Sequence, residues 1–91
     1  MVLNFNNQNG YYVAEFEATG NFNLHIERSE SGYLYVMQRT SPSGKYDNVR
    51  GASFEYDNHI VDFDFTGSVF PKQIQVVSKV MPTMAEVTFA E

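Results

Sequence analysis

Residues 21–27, "NFNLHIE", decide the fold class of this chain. Phe22, Leu24 and Ile26 alternate there with polar or charged residues. Because successive side chains of a β-strand point to opposite faces of the sheet, this period of two predicts a strand with one buried and one solvated face. It is the cleanest strand pattern in the chain, and the segments on both sides of it extend the same pattern.

The neighbouring segments are predicted to be strands with more extensive burial. Residues 11–19 are apolar on both faces at their start and on one face at their end. Residues 33–38, "YLYVMQ", are apolar on both faces. Such a strand lies centrally in a sheet or packs against a partner. The second apolar face of residues 33–38 is therefore a candidate contact surface.

Further strands are predicted downstream. Residues 52–66 alternate in two runs, which predicts a hairpin with Asp57 and Asn58 as its tight turn. Two more strands are predicted over residues 73–80 and 86–90, with alternate residues pointing inward.

Seven or eight short strands describe the whole chain. Pro71 and Pro82 mark strand boundaries because proline cannot donate a hydrogen bond to a ladder, and residues 2–5 are predicted to be an edge strand. No window has the apolar spacing of a helix. The prediction is one all-β domain over residues 1–91, an antiparallel β-sandwich of the immunoglobulin-like or jelly-roll kind without substantial helix.

Size and charge narrow the function classes. The chain has 91 residues, no cysteine and a formal net charge of −5. A core this small leaves stability thin, and without disulfides or thiolate metal sites we expect oligomerisation to supplement it. The acidic balance argues against nucleic acid and anionic membranes as partners. The sequence shows neither a signal peptide nor an apolar run near the roughly 20 residues that cross a bilayer.

One loop concentrates positive charge. In residues 38–49, "QRTSPSGKYDNV", and the position after them, Arg39, Lys45 and Arg50 make up three of the chain's six basic residues. A phosphate-binding loop of the Walker A type requires Ser or Thr after its lysine, whereas Tyr46 follows Lys45. The loop is therefore predicted to be a projecting docking arm, with a plain solvent-exposed turn as the alternative.

Three tyrosines are hard to place in a core. Tyr46 lies in the polar loop, and Tyr11 and Tyr12 directly follow an Asn-Gly pair. Exposed tyrosines anchor protein interfaces and also stack on sugars. The predicted protein interface consists of Arg39, Lys45, Tyr46, Arg50, Tyr11 and Tyr12. The alternative is a glycan- or ligand-binding β-sandwich module in which these tyrosines stack on a sugar, with calcium as a possible aid.

No set of residues predicts catalysis. His25 lies on the polar face of its strand and His59 follows the predicted turn, so both are expected to face solvent. Asp62 and Asp64 project from one strand face about 7 Å apart, where they could share a calcium ion. The simpler interpretation is that these carboxylates are solubilising charges that discourage edge pairing. We therefore expect a protein that is not an enzyme and has no cofactor and no metal.

Residues 18–49, "ATGNFNLHIERSESGYLYVMQRTSPSGKYDNV", join a polar-aromatic strand to a Ser/Gly/Lys/Tyr loop. In this the chain resembles the small all-β auxiliary capsid proteins, also called decoration or cement proteins, of tailed bacteriophages. The resemblance implies a non-enzymatic virion component that binds the major capsid protein, associates with copies of itself and stabilises neighbouring subunits. It implies no catalytic residues.

Overall fold

The computed structural model describes residues 1–54 and 59–90, and for residues 50 and 51 the backbone alone. In chain order the strands are β1 (Asn6–Gln8), β2 (Tyr11–Ala18), β3 (Phe22–Glu27), β4 (Leu34–Arg39), β5 (Asp47–Phe54), β6 (Ile60–Phe65), β7 (Lys72–Ser78) and β8 (Met84–Phe89). None of the described residues is helical. The all-β prediction is thus confirmed for this part of the chain.

The strands form two antiparallel sheets. One is five-stranded in the order β1-β2-β7-β4-β5, and the other is three-stranded in the order β6-β3-β8. Three antiparallel strand pairs are nested in the sequence. The pair β4–β5 lies, in chain order, inside the pair β3–β6, and the pair β3–β6 lies inside the pair β2–β7. The strand predicted to be central, β4, lies between β7 and β5. The arrangement agrees with a β-sandwich.

One apolar core lies between the sheets. The inward residues of β3, including Leu24 and Ile26, are fully buried, as the alternation of residues 21–27 predicts. Leu34 and Val36 of β4 are fully buried on the other side. The two sheets meet directly where the ring of Phe16 in β2 packs edge-on against the ring of Phe22 in β3, with centroids 5.2 Å apart.

The hairpin predicted over residues 52–66 is wrong. β5 pairs with β4 in the larger sheet, whereas β6 pairs with β3 in the smaller one. The rings of Phe54 and Phe63 meet between the sheets at 6.2 Å. Alternation identifies which side chains turn inward but not which strands pair. The inward rings of two consecutive strands can face each other from opposite sheets across the core, or lie side by side in one sheet. The predicted turn at Asp57 and Asn58 lies outside the described residues.

The N-terminal strand also differs from the prediction. Residues 2–5 form no strand; Val2 makes an isolated bridge to Glu86, and the Leu3 amide donates to the Ala85 carbonyl. β1 follows at residues 6–8 and turns into β2 through Asn9 and Gly10, whose φ angles are 55° and 87°. Positive φ at both central residues is typical of the tight Asn-Gly turns that match the twist of a hairpin.

Candidate functional site

The outer face of the five-stranded sheet is aromatic. Because Leu34 and Val36 point into the core, alternation directs Tyr33, Tyr35 and Met37 outward. Tyr11 and Tyr46 join them from neighbouring elements. We call this surface the tyrosine face and define it as Tyr11, Tyr33, Tyr35, Met37 and Tyr46. Tyr11 and Tyr33 are its most exposed rings, at 36% and 38%.

Two tyrosines meet over the middle of this face. Tyr35 on β4 is opposite Val77 on β7, which is opposite Val13 on β2. The side chains of Tyr11 and Tyr35 approach each other across β7. Val77 and Val13 are only 8% and 6% exposed although they lie on the outer face. Burial is the main cause of the raised pKa of Tyr35, and proximity to Tyr11 adds to it.

The segment before β4 positions Tyr33. Arg28 is nearly fully buried, and its Nη1 donates to the carbonyls of Gly32 at 2.8 Å and of Tyr33 at 3.3 Å. The amide of Lys79 donates to the Tyr33 carbonyl as well, at 2.8 Å. These bonds hold Tyr33 in register with the end of β7. Burial lowers the pKa of Arg28.

A tight turn directs the basic loop back onto the sheet. The Gly44 amide donates to the Ser41 carbonyl at 3.0 Å, with Pro42 at the second position, where its fixed φ suits the common β-turns. The Arg39 guanidinium then lies over the Tyr46 ring, with its Cζ 4.3 Å from the ring centroid. The Tyr46 hydroxyl donates to Glu15 Oε2 at 3.1 Å. Because Glu15 is on β2, the Tyr46 side chain lies across the outer face of the sheet.

Arg39 is also held within the chain. Its Nε donates to Gln73 Oε1 at 2.6 Å, and its Nη1 donates to the Gly44 carbonyl at 3.2 Å. The pKa of Tyr46 is raised, mainly by burial and then by its bond to Glu15, while the charge of Arg39 opposes this shift. The structure therefore places Arg39 and Tyr46 against the sheet rather than on a projecting arm.

The remaining predicted interface residues are dispersed. Lys45 is exposed in the loop, and the side chain of Arg50 is outside the described part of the chain. Tyr12 is half-buried opposite the fully buried Ser78, so it belongs to the inward-facing side of β2. Tyr11 lies on the tyrosine face, where Lys79 Nζ is 4.7 Å from its ring centroid. No sequence pattern marks Lys79 as an interface residue, because the outward residues of β7 form a mainly polar series.

A network of charges covers the outer face of the three-stranded sheet. The His25 ring nitrogens contact Glu27 Oε2 at 2.9 Å and Asp62 Oδ2 at 3.2 Å. Asn23 Nδ2 donates to Asp62 Oδ1 at 2.6 Å and to Asp64 Oδ1 at 2.9 Å. Bonds to Glu27 and then to Asp62 raise the pKa of His25. Bonds from Asn23 and then His25 lower the pKa of the Asp62 carboxyl.

This network does not provide the calcium site considered for Asp62 and Asp64. The amide of Asn23 donates to one oxygen of each carboxylate and so joins them directly. Within residues 1–54 and 59–90, no group of three or more histidine, aspartate or glutamate side chains is arranged to hold a metal ion. The aspartates therefore act here as hydrogen-bond acceptors for side chains of β3.

A shallow cleft of about 430 Å³ lies at one end of the three-stranded sheet. Its lining consists of Asn21, Phe22, Asn23, Asp64, Phe65, Thr66, Thr88, Phe89 and Ala90. The rings of Phe22 and Phe65 are stacked with centroids 4.9 Å apart and are almost completely buried. The accessible lining is mainly apolar, and the hydroxyls of Thr66 and Thr88 and the Asp64 carboxylate are among its polar groups.

The chain matches no family model, no curated protein and no solved structure in the three comparisons made. Nor do the described residues include a helix with the length and apolar character needed to span a bilayer. A functional assignment therefore depends on the geometry of the surfaces described above.

Proposed function

We propose that this chain is a non-enzymatic assembly protein that docks onto another protein through the tyrosine face. The observation that supports this role is the composition of that face. The solvated face of an antiparallel sheet is usually polar, whereas this one carries four tyrosines and a methionine with Arg39 and Lys79 beside them. Tyrosine, methionine and arginine are enriched at protein interfaces, where lysine, glutamate and aspartate are depleted.

The internal contacts of the face favour binding further. Tyr11 lies close to Tyr35 and is covered by Lys79, and Tyr46 is held between Arg39 and Glu15. Rings that are already fixed lose little conformational entropy when a partner covers them. Each ring also keeps a polar hydroxyl, which suits a surface that is exposed before binding and buried afterwards.

The specific role that we propose is that of an auxiliary capsid protein in a virion. It would bind the major capsid protein of a tailed bacteriophage and copies of itself, as the resemblance of residues 18–49 implies. The nested strand order favours the jelly-roll kind of sandwich over the immunoglobulin-like kind, and jelly rolls are common in viral capsid and lectin domains. This support is an analogy at the level of the fold.

The mass of the native complex tests the proposal. We expect native mass spectrometry of material from the source organism to find the 10.4 kDa chain in a much larger symmetric assembly. Replacing Tyr11 and Tyr33 by serine is expected to weaken binding to the partner found there by about tenfold or more, because two exposed anchor rings are lost. Tyr12→Ser is the matched control, since Tyr12 is on the opposite side of β2.

Two results would contradict the proposal. One is a native chain that is monomeric with no bound protein. The other is a double variant that retains full affinity while its circular dichroism and unfolding midpoint match those of the unchanged protein.

Glycan binding is the second candidate function, and the cleft rather than the tyrosines favours it. Tyr12 is on the opposite side of the sheet from Tyr11, so the predicted tyrosines form no single platform. In the cleft, the hydroxyls of Thr66 and Thr88 and Asp64 Oδ2 make no hydrogen bond to other described residues. Such groups could bond to sugar hydroxyls. A monomeric native chain would favour this function.

A further inference from the structure

Among the described strands, one edge of the sandwich is both regular and open. The sheet orders leave β1, β5, β6 and β8 at the edges. β1 has three residues, the pairing of β5 with β4 shifts register between Tyr35 and Met37, and residues 1–3 cover the edge of β8. Natural proteins block strand edges by these means. By contrast, β6 is paired with β3 in continuous register over all six of its residues.

Alternate residues of β6 direct their backbone N–H and C=O groups to the open edge of the sheet, away from β3. The Arg28 amide donates to the His59 carbonyl at 2.8 Å, so this pair is hydrogen-bonded. Bonded and non-bonded pairs alternate along an antiparallel ladder, which directs the N–H and C=O groups of Ile60, Asp62 and Asp64 away from β3. These three residues form a row of unpaired donors and acceptors on the described surface.

The opposite side of β3 supports the same assignment. The N-terminal ammonium of Met1 donates to the Val87 carbonyl and the Val87 amide donates to the Met1 carbonyl, at 2.8 Å each, so the backbone of Val87 points away from β3. The next pair, Glu86 and His25, is then bonded within the sheet. The backbone of His25 therefore points to β8, and within residues 1–54 and 59–90 the backbone of Asp62 has no partner.

Side chains at this edge specify what it could bind. Ile60 is 63% exposed, and the rings of Phe54 and Phe63 are only partly buried where β5 and β6 adjoin. On its inward side an added strand would cover the rings of Phe54 and Phe63, whereas Ile60 alternates with Asp62 and Asp64 and lies with them on the outer face. On its outward side the added strand would lie beside Asp62 and Asp64, both exposed carboxylates.

From this geometry we infer that β6 accepts an extended segment of a partner protein in which apolar residues alternate with lysine or arginine. Main-chain bonds to Ile60, Asp62 and Asp64 provide affinity, and the alternating side chains provide specificity, as in other cases of strand addition. Basic residues opposite Asp62 and Asp64 form favourable cross-strand pairs. A second copy of β6 would place like charges opposite each other, so a different protein is the occupant.

The inference rests on the proposed assembly role and gives it a second contact. The tyrosine face belongs to the five-stranded sheet and β6 to the other sheet. A protein that binds one neighbour by a face and another by an edge can link the two, which is what stabilising adjacent subunits requires.

Amide hydrogen exchange of the full chain tests the edge. The probe is the capped peptide acetyl-Lys-Val-Lys-Val-Lys-Val-amide. In the free protein we expect fast exchange at Ile60, Asp62 and Asp64 and slow exchange at Val61 and Phe63, because the amides of Val61 and Phe63 are bonded to β3. Added peptide is expected to protect Ile60, Asp62 and Asp64. In an antiparallel arrangement the lysines opposite Asp62 and Asp64 carry the amides that bond to β6. A peptide with N-methylated lysines, which cannot donate, is therefore expected to protect none of the three residues.

Charge variants test the predicted specificity. Replacing Asp62 and Asp64 by asparagine is expected to weaken peptide binding by about 2- to 30-fold, which corresponds to the loss of two cross-strand charge pairs. A glutamate version of the peptide should bind the unchanged protein more weakly than the lysine version. Equal protection by the N-methylated peptide, or no alternation in exchange along β6, would overturn the inference even if the asparagine variants proved unstable.

The two proposals can fail separately. If the peptide gives no protection while the native complex still depends on Tyr11 and Tyr33, the edge inference alone is wrong. If the native chain is monomeric but the peptide protects β6 as described, the assembly role is wrong and the strand-addition site stands.

Discussion

At the scale of single residues, His25 is the group whose surroundings respond most directly to pH. Its ring contacts two carboxylates, Glu27 and Asp62, and its pKa is raised. A histidine with a raised pKa in the folded state stabilises the fold fully below its unfolded pKa of about 6.5. That contribution is lost as pH rises through the folded pKa.

We therefore expect the free energy of unfolding to contain a His25 contribution that falls as pH rises above about 6.5. The measurement is urea unfolding of the chain and of His25→Gln at pH 5.5 and pH 8.5. The difference between the two proteins should be larger at pH 5.5. Equal differences at both pH values would mean that the two carboxylates do not favour protonated His25 in solution.

Arg39 and Lys45 provide a second comparison at this scale, because the sequence places both in one loop and the structure treats them differently. Arg39 bonds to Gln73 and Gly44 and covers Tyr46, while Lys45 is exposed. We expect Arg39→Ala to lower the free energy of unfolding by about 1–2 kcal/mol and Lys45→Ala to change it by less than about 0.5 kcal/mol. Denaturant titration measures both. Equal small effects would show that the loop does not need Arg39 to lie against the sheet.

At the scale of elements, the turn between β1 and β2 depends on one glycine. Gly10 has a φ of 87°, where a side chain is strained whatever space surrounds it. Gly10→Ala is expected to cost about 1–2 kcal/mol of stability. Gly20→Ala is the matched control, since no atom lies within 4 Å of the added Cβ and φ is not positive, and it should be close to neutral. Chemical denaturation of the two variants would contradict this if Gly10→Ala proved as stable as the control.

The positions of the strands could be predicted from the sequence better than their pairing. The alternation of residues 21–27 locates β3 and its buried face, because the period of a strand is a local property. The choice of pairing partner is not local, so alternation predicts one hairpin for the consecutive strands β5 and β6 although they lie in different sheets. The Asn9-Gly10 pair is itself a local hairpin signal, and the structure forms the β1–β2 turn there.

At the scale of the whole molecule, the candidate surface was only partly predictable. The second apolar face of residues 33–38 pointed to Tyr33, Tyr35 and Met37, since a strand that is apolar on both sides needs two coverings. The contact between Tyr46 and Glu15 could not be foreseen, because it depends on how many strands separate β5 from β2. The basic and turn-forming residues of the loop at residues 38–49 are typical of a projecting arm, and composition does not show that Arg39 and Tyr46 fold back onto the sheet.

The nested strand order affects how the chain is completed during synthesis. β7 lies between β2 and β4 in the five-stranded sheet, yet it follows both of them by more than thirty residues. Until residue 78 has left the ribosome, the β1–β2 hairpin and the β4–β5 pair are two separate pieces with open sides. Sheets that depend on such distant pairings form slowly and expose their edges in the meantime. The nascent chain is thus most prone to aggregation just before its seventh strand is available.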